Sequence, residues 1–190
     1  LINSLYLFIP RATDSQDAVV VTVGQIRGGD NANVIPEEVT LRGTVRTLDA
    51  GVRQKTCDHI RQLAHGVGET TDTRIEVHFG LGSASVNNDA SLIDLLRQAG
   101  REVVRLEGID EIPRASMGSE DFSFYLEKVP GAMIRLGVRS SSASGSALHT
   151  PNFDIDEEAL RIGAKVLARA AILWHNPSPQ RASAAYEYTI

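Results

Sequence analysis

Residues 18–46 read AVVVTVGQIRGGDNANVIPEEVTLRGTVR, and this pattern decides the first part of the fold. Ala18-Val19-Val20-Val21-Thr22-Val23 is β-branched, is bounded by Gly24 and continues toward Ile26, which predicts a strand. Gly28-Gly29 predicts a turn. From Glu38 to Arg46, Val39, Leu41, Gly43 and Val45 alternate with polar residues, the period of a strand with one buried face.

Upstream lies an apolar run, Leu1-Ile2-Asn3-Ser4-Leu5-Tyr6-Leu7-Phe8-Ile9. It resembles the core of a signal peptide, but no basic stretch precedes it and no clear small-residue cleavage site follows, so it reads as a cut helix. Downstream, from Ala50 to about Ala64, Val52, Ile60, Leu63 and Val67 keep helical spacing, with Gly66 and Gly68 as the expected stop. Ile75, Val77 and Phe79 return to period two and predict a strand over Arg74 to Phe79, ended by Gly80 and Gly82. The order helix, strand, strand, helix, strand predicts a small α+β unit with an antiparallel sheet over residues 1–84.

A polar link, Ser85 to Asp89, opens a second region, 85–176. Leu92, Ile93, Leu95, Leu96 and Ala99 predict a helix, with Asp89 or Ser91 as its N-cap. A short helix is expected at Phe122 to Lys128, a strand at Ala132 to Val138, and a loop in the Ser-, Gly- and Ala-rich stretch from Arg139 to Ala147. Between Asp156 and Trp174, Leu160, Ala164, Leu167, Ala171 and Trp174 fall on one helical stripe, the expected buried face. Asp156, Glu157 and Glu158 sit in the first turn, where the helix dipole favours negative charge. The tail, 177–190, shows no period and is expected to be a loose or packing arm.

The 190 residues allow one core or two small ones, and 42% hydrophobic with 23% charged residues is the balance of a folded globular chain. A net charge of −5 without clustered Lys and Arg argues against a nucleic-acid partner. No apolar stretch approaches the roughly 20 residues needed to cross a bilayer, so no membrane span is expected. Cys57 is the only cysteine and is expected to be a reduced, half-buried thiol, consistent with a cytoplasmic location.

Three segments offer chemistry. In Leu148-His149-Thr150-Pro151 an imidazole precedes a proline-fixed turn, suited to bind a divalent metal through one ring nitrogen; the alternative is a structural or solvated histidine. In Met117-Gly118-Ser119-Glu120-Asp121-Phe122, Glu120 and Asp121 either bind metal or substrate, or favour the positive end of a helix that Ser119 caps. Asn33, in Asn33-Val34-Ile35-Pro36, either belongs to a plain strand connection or offers its amide to a developing oxyanion. His59, His65 and His78 form no visible ligand set, and His175 follows the last helix, where it complements the dipole.

Taken in order, Gly28-Gly29 before Asn33-Val34-Ile35-Pro36, then Gly43-Thr44-Val45-Arg46, Met117-Gly118-Ser119-Glu120-Asp121-Phe122 and Leu148-His149-Thr150-Pro151 resemble the metallo-amidohydrolases. These include aminoacylases, hippurate hydrolases, indole-acetyl-amino-acid hydrolases and related zinc carboxypeptidases. The resemblance implies an α+β lid domain, residues 1–84, that makes a homodimer, joined to the C-terminal part of an α/β zinc-peptidase-like catalytic domain. It implies that His149 is the last metal ligand, that Asn33 reaches the scissile carbonyl, and that Glu120 and Asp121 line the substrate cleft.

The implied reaction is hydrolysis of the amide of an N-acyl amino acid or small peptide. A complete site holds two divalent metals, zinc, manganese or cobalt, which polarise the carbonyl and activate water while a glutamate shuttles the proton. The remaining ligands and that glutamate have no counterpart in these residues. The chain is therefore expected to be a fragment, inactive alone; the alternative is a dimerisation or binding module without chemistry.

Overall fold

The alternation within residues 18–46 closes into an antiparallel pair in the computed structural model of the chain, which describes residues 1–104, 106–139 and 148–176. β1 (Val19–Arg27) runs against β2 (Thr40–Thr47), pairing Val19 with Thr47 and Val23 with Gly43. The register slips between Val23 and Gln25, a β-bulge at Gly24. Gly43 lies so close to the opposite strand that a Cβ there would stand 2.2 Å from the Thr22 carbonyl oxygen.

α1 (Ile2–Ala12) turns Leu5 and Ile9 inward, one helical turn apart. α2 (Ala50–Thr71) contributes Ile60 to the same core, and Val19, Val21, Val23 and Val45 of the sheet pack beneath. Asp49 caps α2 by accepting the Val52 amide at 2.8 Å. The expected stop at Gly66 and Gly68 is not where α2 ends. Gly68 is buried under the Thr73 carbonyl oxygen, 2.7 Å from where a Cβ would be, so its role is close approach. Termination falls to Asp72, left-handed at φ 50°, whose amide donates to Gly68 O.

Within Arg74 to Phe79, Ile75, Val77 and Phe79 are the half-buried residues, with Val77 and Phe79 on the core of α1 and α2. The segment joins no ladder among the described residues, so the expected strand is present in its side-chain alternation and absent from the sheet. Hydrophobic period reports burial; it does not supply a hydrogen-bonding neighbour.

Two compact units result. The first comprises Leu1–Val86 with Arg114–Phe124, the second Asn87–Pro113 with the residues from Tyr125 onward. The sequence places 114–124 in the second region, but Arg46 Nη1 donates to the Met117 carbonyl at 2.8 Å and the Ser83 and Ser119 hydroxyls meet at 2.7 Å.

In the second unit, α3 (Ala90–Val104) packs on α5 (Glu158–His175) through Leu95, Ala99, Val166 and Ala170. Asp89 caps α3, accepting the Leu92 amide and the Ser91 hydroxyl. The short α4 spans Ser123–Leu126. Ala132 to Val138 has no ladder partner among the described residues. It is held instead by the Asn88 side chain, which donates to Met133 O and accepts from Met133 N at 3.0 and 2.8 Å.

The stripe expected to be buried on α5 is the exposed one. Ala159, Ile162, Val166, Ala170 and Leu173 face α3, while Leu160, Ala164, Leu167, Ala171 and Trp174 face away. Of the loop expected from Arg139 to Ala147, residues 140–147 lie outside the described residues, as does the tail, 177–190.

Candidate functional site

Asn33 is exposed in the connection between β1 and β2. Gly29 starts that connection at φ +77°, a conformation suited to glycine, with the Pro36 ring stacked over it. The Val34 amide donates to Asn31 O at 3.3 Å.

Glu120 and Asp121 are also exposed. One oxygen of the Glu120 carboxylate accepts the Phe122 amide at 3.2 Å, and its main-chain oxygen accepts from the Ser123 amide and hydroxyl. Ser119 is not the cap, because its hydroxyl is turned to Ser83. Glu120 thus closes a local turn just before α4. Arg46 fastens this segment to the end of β2, which brings together the Gly43–Arg46 and Met117–Phe122 motifs within the first unit. The sequence quotes both motifs and contains no sign of the bond between them, since it links a side chain to a carbonyl that every residue type possesses.

His149 is exposed and left-handed, φ +64°. Histidine visits this region more than most residues, yet holding it there costs on the order of 1 kcal/mol. The turn continues with the Phe153 amide donating to Thr150 O at 3.1 Å. Asp156 then ties the segment down, its amide donating to Val138 O at 2.8 Å and its carboxylate accepting the Glu158 amide at the start of α5.

Two of the other histidines make contacts of their own. His59 meets Phe8 edge to face at 5.3 Å, and His78 Nε2 lies 3.6 Å from Glu76, whose pKa is lowered chiefly by its hydrogen bond to Arg74. Cys57 is buried and unpaired.

Among the described residues no group of three or more His, Cys, Asp or Glu side chains could hold a metal ion, and no buried side-chain polar atom lacks a partner. These residues by themselves do not fit a dinuclear centre. Two open grooves in the first unit, of about 400 Å³ between α1 and α2 and about 750 Å³ along α2 and Asp72–Val77, are lined by none of the candidate residues. No described helix is long and apolar enough to cross a membrane.

The chain is 37% identical to a probable hydrolase of Synechocystis, over 93% of this chain and 45% of that protein. It is 33% identical to the N-acetyldiaminopimelate deacetylase of Enterococcus faecalis, over 88% of this chain and 43% of that protein. The crystal structure of the Bacillus subtilis YXEP protein, described as a dinuclear metal binding peptidase, matches with a TM-score of 0.71 at 27% identity, over 92% of this chain and 46% of that one. The chain thus spans less than half the length of each. The family model that matches residues 6–172 runs through both compact units, and the chain belongs to peptidase family M20/M25/M40.

Proposed function

We propose that the chain is the C-terminal part of a metal-dependent amidohydrolase that cleaves the amide bond of N-acyl amino acids or related small peptides. The observation that carries this reading is the family match through residues 6–172, together with relatives named as deacetylases of N-acetylated amino acids. Residues 1–84 serve as a lid that forms a homodimer, and 85–176 close the catalytic domain.

Within that enzyme His149 supplies one metal ligand from its left-handed turn, and the exposed Asn33 amide donates to the oxyanion of the scissile group. The exposed Glu120 and Asp121 carboxylates orient the substrate from the segment that Arg46 holds. The bound metals, zinc, manganese or cobalt, supply the Lewis acid. No catalytic step is assigned to this chain alone, because no group of three or more His, Cys, Asp or Glu side chains among the described residues could hold a metal ion.

The test is metal content after dialysis against zinc or manganese, for the chain and for His149→Ala, with turnover of an N-acetyl amino acid measured on the same samples. Little bound metal and no turnover are expected from both. Turnover by the highly purified chain would overturn the fragment reading, and tight, stoichiometric binding that needs His149 would mean that further ligands exist in this chain.

A further inference from the structure

We draw no further inference here: the strongest candidate, the open apolar groove between α1 and α2 lined by Phe8, Leu63 and Val67, carries no proposal, because nothing in the structure shows what covers it.

Discussion

The phenolic oxygen of Tyr6 on α1 accepts the main-chain amide of Val23 at 2.8 Å, at the point where the register between β1 and β2 slips. A bulge disturbs the ladder and leaves main-chain groups in need of partners. Here a helix side chain supplies one, and so ties the helical layer to the irregular place in the sheet. Tyr6→Phe should lower stability by about 1 kcal/mol in urea unfolding and speed hydrogen exchange at Val23. Unchanged exchange would show that the bond does not matter in solution.

Two glycines of this hairpin should respond in opposite ways. A Cβ at Gly43 would collide with the Thr22 carbonyl, whereas one at Gly24 meets nothing within 4 Å. Gly43→Ala is expected to cost roughly 1–3 kcal/mol by forcing the strands apart. Gly24→Ala should fall within about 0.5 kcal/mol of the parent. Equal thermal melting of the two variants would contradict this account of the register.

The same contrast runs along α2. Gly66 faces open space, so Gly66→Ala should stabilise by roughly 0.5–1 kcal/mol through helix propensity. Gly68→Ala should destabilise, because the new methyl meets Thr73 O. Denaturant midpoints that move in the same direction would refute the packing role given to Gly68.

Acid should loosen the second unit through two carboxylates. The hydrogen bond from Ser91, then that from the Leu92 amide, hold Asp89 below its ordinary 3.8, and the hydrogen bond from Arg169 on α5 chiefly holds Glu102 below its ordinary 4.5. Both pKa values are depressed by folding. Their contribution is therefore fully present above the ordinary values and is lost as pH falls through the folded ones. Melting temperature should be insensitive to these groups above about pH 5 and should drop below about pH 4. Asp89→Asn with Glu102→Gln should flatten that drop, and an unchanged acid limb would exclude them as its source.

At His149 the left-handed backbone separates strain from chemistry. His149→Gly should leave stability equal or raise it by up to about 1 kcal/mol, while His149→Ala should not gain. Calorimetry of the two variants checks this, and a clear loss of stability in His149→Gly would mean the imidazole itself supports the fold.

The sequence by itself determined the elements whose signals are local. The β-branched run from Ala18 to Val23 and the alternation from Glu38 to Arg46 marked the two strands, Asp89 stood where a cap was needed, and helical spacing from Asp156 to Trp174 marked α5. Motif order carried the resemblance to amide-cleaving metalloenzymes, and the family match over residues 6–172 agrees with it at the level of family. Tertiary structure decided what depends on neighbours. With apolar residues on both sides of α5, only the approach of α3 selects Val166 and Ala170 over Leu160 and Leu167 for burial. Likewise only the fold brings the Arg46 guanidinium to the Met117 carbonyl, and only the presence or absence of a bonded neighbour makes an alternating segment such as Arg74 to Phe79 part of a sheet. Periodicity encodes which side of an element is apolar, while the choice of partner is made by distances between residues far apart in the chain.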